Sequence, residues 1–152
     1  MSQVKIAVLV VASFVIGGII GGYTFRGVLP RSFLALDQCQ GTCLQSNELL
    51  GLLTSAGVQN LDGIIPFAVK ETDKTVVLNH PFPQKRIHYV VIPKKDIKDI
   101  GSLTPDDQAY LQDAFAAIAT IIKEQNLQNY RIITNGPGFQ QVTRLHFHLL
   151  AE

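Results

Sequence analysis

The chain closes on Arg144-Leu145-His146-Phe147-His148-Leu149-Leu150-Ala151-Glu152, and this stretch decides the fold. Basic and apolar side chains alternate from Arg144 to Leu149, the period of an extended strand. The alternation predicts a strand from about Val142 to Leu150. Arg144, His146 and His148 are then expected on one face, and Leu145, Phe147 and Leu149 on the other. A face holding a guanidinium and two imidazoles suits a phosphate: Arg offers a fixed fork of donors, and neutral imidazole can act as nucleophile or proton carrier. The polar face of an ordinary edge strand fits the same pattern.

Upstream of this stretch, the sequence predicts more strands than helices. Ala68-Val69 and Thr75 to Leu78 read as strands that turn at Thr72-Asp73-Lys74. Asn79-His80-Pro81-Phe82-Pro83 reads as a loop, because two prolines have no place in a central strand. His88-Tyr89-Val90-Val91-Ile92 is a buried strand stopped by Pro93. Thr104-Pro105-Asp106-Asp107 is a helix start, with a capping Thr, an early Pro and two acids at the positive end of the dipole. Leu111, Ala114, Phe115, Ile118 and Ile122 follow on one helical face and are core. Tyr130 to Thr134 is another strand, and Asn135-Gly136-Pro137-Gly138 a turn. A shorter helix is expected over Asn47 to Leu53, capped by Ser46 or Asn47 and ending near Gly57. Strands joined partly by hairpin-like turns argue for an α+β fold with an antiparallel sheet.

At the other end, no charged residue occurs from Ile6 to Phe25, with Lys5 and Arg26 at the margins. That run approaches the roughly 20 apolar residues needed to span a bilayer and exceeds the h-region of a signal peptide, about 7–15 residues. It predicts an uncleaved single-pass anchor, with Tyr23 as an interfacial aromatic. Gly17-Gly18 and Gly21-Gly22 give two overlapping Gly-x-x-x-Gly pairs. Close helix pairing and the ordinary abundance of Gly in membrane helices both account for them. Lys5 on one side and Arg26 and Arg31 on the other leave the orientation open.

A net charge of +1, with no Lys/Arg run, argues against a nucleic-acid partner. The organisation expected is a tail (residues 1–4), an anchor in the lipid bilayer (5–26), a juxtamembrane connector with Cys39, Cys43 and a short helix (27–63), and one small domain (64–152).

Taken in order, these pieces resemble the histidine-triad (HIT) family. The likeness rests on Ile65-Pro66, on His88 to Ile92 followed by Pro93-Lys94-Lys95, on the helix from Thr104, and on Asn135-Gly136, Gln140 and the terminal Arg-Leu-His-Phe-His-Leu-Leu. It runs from about Ile64 to the end of the chain. It implies a HIT-like antiparallel sheet of about five strands with one long helix, here preceded by the membrane helix, and a symmetric homodimer. It also implies attack on a nucleotide α-phosphorus by His146, through a covalent nucleotidyl-histidine. His148 is expected to contact phosphate or assist the leaving group. Asn135, Gln140, Arg144 and His88 are the expected substrate- and phosphate-binding residues. Neither a cofactor nor a metal is expected.

Three positions depart from the family pattern. Arg144 stands for the first triad histidine, and is expected to grip phosphate and alter substrate preference. His80 and Pro81 stand where an acid commonly holds ribose hydroxyls, and Asp96 where many relatives have histidine. Cys39 and Cys43 allow zinc, a disulfide or free thiols. His80 reads as solvated or structural, as do Lys94, Lys95, Lys85 and Arg86. The leading expectation is a membrane-anchored nucleotide hydrolase or nucleotidyl transferase. A lipid-nucleotide hydrolase resembling CDP-diacylglycerol pyrophosphatase, a non-catalytic nucleotide-binding module and a purely structural membrane protein are the alternatives.

Overall fold

The computed structural model describes residues 3–34, 43–61 and 63–152. Five strands form one antiparallel sheet: β1 (Ala68–Glu71), β2 (Thr75–Asn79), β3 (Ile87–Pro93), β4 (Tyr130–Ile133) and β5 (Phe147–Ala151), in the order β1-β2-β3-β5-β4. Three helices accompany it: α1 (Gln3–Thr24), α2 (Ser46–Asn60) and α3 (Gln108–Glu124). The α+β architecture and the five-strand sheet are those expected from the sequence.

The β1–β2 hairpin turns where the sequence predicts, because the Thr72 hydroxyl accepts the amide hydrogens of Lys74 and Thr75. At the start of α3, the Asp107 carboxylate accepts from both the amide and the hydroxyl of Thr104. Two orphan donors are thereby satisfied before the apolar helix begins. Its buried face, Ala114, Ala117, Ile118 and Ile121, packs on Val77, Val91, Phe147 and Leu149 of the sheet. Full burial of each such large side chain contributes about 1.5–3 kcal/mol.

The opposite sheet face carries Val76 and Ile92, with Val90 and Leu78 beside them, and meets Val58 of α2. Here α2 differs from the expected short helix. It begins at Ser46 with Gln45 at its N-cap, where no side chain caps it, and passes through Gly57. Burial of Ser55, Ala56 and Val58 outweighs the ~1 kcal/mol helix penalty of one glycine. Gly51 has a different reason to be glycine: a Cβ there would lie 2.6 Å from the Thr143 carbonyl oxygen and 3.0 Å from Arg31 Nε.

The final strand also differs from expectation, starting at Phe147 rather than Val142. The backbone donors before it are bound elsewhere: Thr143 N–H donates to Asn47 O at 3.1 Å, and Leu145 N–H to Ile97 O at 2.6 Å. Outside the ladder, both Arg144 and Leu145 are buried, and the alternation of burial begins only at Leu145.

α1 is long and apolar enough to cross a membrane, with mean hydropathy 2.4 and no buried residue. Its end is tied to α2, since Asn60 Nδ2 donates to Thr24 O at 2.9 Å and Gln59 Nε2 to Gly27 O at 3.2 Å. Cys43 is disulfide-bonded, which removes the zinc and free-thiol readings for this residue. Cys39 lies outside the described residues.

Candidate active site

The register of β3 against β5 builds the histidine cluster. Val90 opposes His148, and His88 opposes Leu150, so His88 and His148 are diagonal neighbours on the face away from α3. Their rings meet, with His88 Nε2 2.9 Å from His148 Nδ1. Pairing of β2 with β3 continues past the strand end through His80 N–H, which donates to His88 O at 2.9 Å. That contact brings the His80 ring parallel to His88, with centroids 4.0 Å apart. His146 stands edge-on to His148 at 4.9 Å.

Hydrogen bonds assign a proton to each ring. His146 Nδ1 lies 2.7 Å from the Arg144 carbonyl oxygen, which can only accept. His146 therefore carries its proton on Nδ1 and leaves Nε2 with a lone pair. The amide of Gln84 donates to His88 Nδ1 at 3.2 Å, so the His88 proton sits on Nε2 and is donated to His148 Nδ1. The His148 proton then sits on its own Nε2. Phe82 N–H donates to His80 Nδ1 at 3.0 Å, which likewise leaves His80 protonated on Nε2.

Burial favours the neutral form of His146, His148 and His88. His146 titrates below the usual 6.5 because it is buried, with the Arg144 carbonyl opposing and the Arg144 and His80 charges reinforcing the shift. His148 is pushed down to about 4, by burial first and then by His146, His88 and His80. Burial, then the neighbouring His80, lowers His88.

The cluster opens on a cavity of about 480 Å³ with Val90 and Ile92 as apolar lining. Thr54 of α2 forms part of one wall, and Asn135 and Gln141 contribute amides. Phe82 and Phe139, each 81% exposed, also border it. Asn135 thus joins His146 and His148, as the sequence suggests. Thr54, Phe82, Phe139 and Gln141 carry no motif and come into view only with the fold. His80 could have been found by extending the β2–β3 pairing one step into the loop.

Two expected substrate-binding residues have other partners. Gln140 is buried and its amide donates to Lys98 O at 3.0 Å and Arg144 O at 3.4 Å. Arg144 borders the cavity, but its guanidinium is 1% exposed and donates to Ser55 Oγ and to the carbonyls of Pro93, Lys94 and Lys95. These commitments replace the phosphate grip expected of Arg144 with a structural task. Lys94 pairs with Glu71 at 2.9 Å and is largely covered, while Lys95 pairs with Asp107 and keeps a side chain 38% exposed.

A sequence profile described as "Scavenger mRNA decapping enzyme C-term binding" matches residues 64–152. A HIT-like protein from Chlamydia muridarum, itself uncharacterized, is 34% identical over 85 residues, covering 54% of this chain and 68% of that protein. The chain belongs to the histidine-triad family. Among solved structures, a HIT family hydrolase from Legionella pneumophila matches with TM-score 0.56 and 28% identity, over 62% of this chain and 88% of that one. A histidine triad nucleotide-binding protein from Candida albicans matches with TM-score 0.52 and 28% identity, over 60% and 70%.

Within the HIT frame, two of the sequence departures are parts of one buried network. Asp96 accepts from Arg31 at 2.7 Å, from Ser55 at 2.8 Å and from Leu29 N–H at 2.7 Å, while Arg144 lies 3.6 Å away. Asp96 is thus shared by two guanidiniums, with Glu48 3.9 Å from Arg31 as a second carboxylate. Burial lowers the Arg144 pKa to about 10; Asp96 opposes that shift and Arg31 adds to it.

Three imidazoles in reach of one another also raise the question of a metal: one ring nitrogen each from His80, His88 and His148 lies within 4.8 Å of the others. Metal-bound imidazoles ordinarily donate their second N–H to an acceptor. Here backbone amides donate to Nδ1 of both His80 and His88, which places protons on the nitrogens a metal needs. The donor set does not fit a cation.

Proposed function

We propose that this HIT protein is a membrane-anchored nucleotide hydrolase or nucleotidyl transferase acting on a phosphoanhydride or phosphoramidate bond. The observation that carries the reading is the hydrogen bond between His146 and the Arg144 carbonyl, because it presents an unprotonated Nε2 beside His148 in the cavity. Nε2 attacks the α-phosphorus. The bond from phosphorus to the leaving group breaks, and the leaving group departs with its electron pair and takes a proton from water. His148 Nε2–H and the Asn135 amide stabilise charge on the phosphoryl oxygens. Water, or another acceptor, then attacks the nucleotidyl-histidine. The P–N bond breaks, its electron pair returns to Nε2, and the proton of the acceptor passes to solvent.

Residues 5–26 are proposed to hold the domain on a bilayer, and the disulfide at Cys43 favours an oxidising side of it. Edge strand β4, with Tyr130 and Ile132 exposed, is a free pairing surface for a homodimer. A lipid-linked nucleotide is the second reading for the substrate, favoured by the exposed Phe82 and Phe139 at a cavity with apolar lining.

The test is intact-protein mass spectrometry of the detergent-solubilised chain with nucleoside phosphoramidates, dinucleoside polyphosphates, nucleotide sugars and CDP-diacylglycerol. An adduct or product that disappears in His146→Ala is expected, and its mass names the substrate class. Binding with neither adduct nor product in the unmodified protein would leave a nucleotide-binding module instead.

A further inference from the structure

The covalent mechanism assigns no task to His80, and His88 serves it only by holding His148. The His80 ring is nevertheless held from two sides, by the Phe82 amide on Nδ1 and by the stack on His88. Neither contact uses Nε2–H, and His80 lines the cavity together with His146 and His148. The His148 ring centroid lies 4.9 Å from that of His146 and 5.8 Å from that of His80, so His148 neighbours both. No aspartate or glutamate lines this cavity among the described residues. A sugar diol needs acceptors, and a metal needs ring lone pairs. The Nε2–H donors of His148 and His80 offer neither and suit the oxygens of an anion.

We propose that His80 forms a second oxyanion subsite, which holds the phosphoryl group next to the one that His146 attacks and His148 steadies. The preferred substrates then carry a pyrophosphate or longer polyphosphate, and the neighbouring phosphate, not the ribose, sets their register. This assignment rests on the proposed function for its chemistry, while the binding subsite is measurable without turnover.

The experiment is calorimetric titration of the full chain in detergent with inorganic phosphate and with inorganic pyrophosphate, repeated in His80→Phe. Phenylalanine retains the stack on His88 and removes the donor. The unmodified protein is expected to bind pyrophosphate about tenfold more tightly than phosphate. His80→Phe is expected to abolish that preference while phosphate binding persists. An unchanged preference in His80→Phe, or no pyrophosphate preference in the unmodified chain, overturns the subsite. So does stoichiometric Zn²⁺ binding that is lost in His80→Phe, which would make the cluster a metal site. A mutant that misfolds is recognised from its circular dichroism. His80→Gln, which keeps an N–H donor, then carries the test: retained preference supports the subsite, and a lost one overturns it. A His146 adduct without pyrophosphate preference removes this subsite and leaves the proposed catalysis standing; pyrophosphate preference without any adduct does the reverse.

Discussion

The guanidinium of Arg144 and the carboxylate of Asp96 lie 3.6 Å apart, both buried. Each occupies a position where the sequence leaves the HIT pattern, and the two changes share one network. Ser55 bridges them by accepting from Arg144 and donating to Asp96, and Arg31 from the segment after α1 completes the set. The carbonyl of Arg144 also fixes the tautomer of His146. Folding of the connector and orientation of the proposed nucleophile therefore meet at one residue.

Arg144→His is expected to act on stability and not on substrate choice. It removes a donor from Ser55 and from three backbone carbonyls and the second guanidinium from Asp96, and loss of one partner from a buried ionic cluster costs about 3–5 kcal/mol. Urea unfolding reads the loss, and a panel of substrates reads relative rates. A stable variant with a new substrate ranking would contradict the structural assignment.

The network itself can be dissected by a double-mutant cycle on Asp96→Asn and Arg144→Met. Each single change is expected to destabilise by several kcal/mol, on the order of 3. Coupling of roughly 1–3 kcal/mol should make the double variant less damaged than the sum. Additive losses would show that the two side chains act independently.

The low histidine pKa values set a pH dependence. His148 titrates at about 4 in the folded chain and near 6.5 unfolded, so the unfolded state takes up the proton first as pH falls. Its contribution to stability is complete above 6.5 and is lost between 6.5 and about 4. Melting temperatures measured across that range should fall more for the unmodified chain than for His148→Gln; equal slopes would remove His148 as the cause. The acid limb of the activity profile should lie below that of a free imidazole, because burial lowers the His146 pKa.

Gly51→Ala tests the packing of α2 behind the site. The new Cβ would press on the Thr143 carbonyl, next to Arg144, and overpacking of this kind costs about 1–3 kcal/mol. The expected result is a lower unfolding midpoint together with slower formation of the His146 adduct. A normal adduct rate in a destabilised variant would show that the strain does not reach Arg144.

Truncation of Phe82 and Phe139 to Ala separates the two substrate readings. If an apolar group rests on these exposed rings, KM should rise about tenfold for a lipid-linked nucleotide and little for a soluble one. Equal effects on both would argue against a lipid contact.

By itself the sequence determined the sheet, the long helix and the nearness of His146 to His148. Alternation from Leu145 onward, the apolar run of β3 and the capped start of α3 are local signals, and each is satisfied by the element it predicts. His146 and His148 follow from their strand period alone. The identity of the other groups near them was decided by tertiary contacts. Arg144 stayed beside the histidines but outside the strand ladder, and its guanidinium was drawn to Ser55 and to the carbonyls of Pro93, Lys94 and Lys95. α2 ran through Gly57 because its buried face outweighed a weak local stop. His80 reached the cluster by strand pairing carried into a loop, and the tautomers of His80, His88 and His146 came from backbone groups that no side-chain pattern reports, with that of His148 following from His88. A periodic pattern states which side chains share a face. What each polar group is bonded to depends on segments far away in the chain, and only the folded arrangement brings those together.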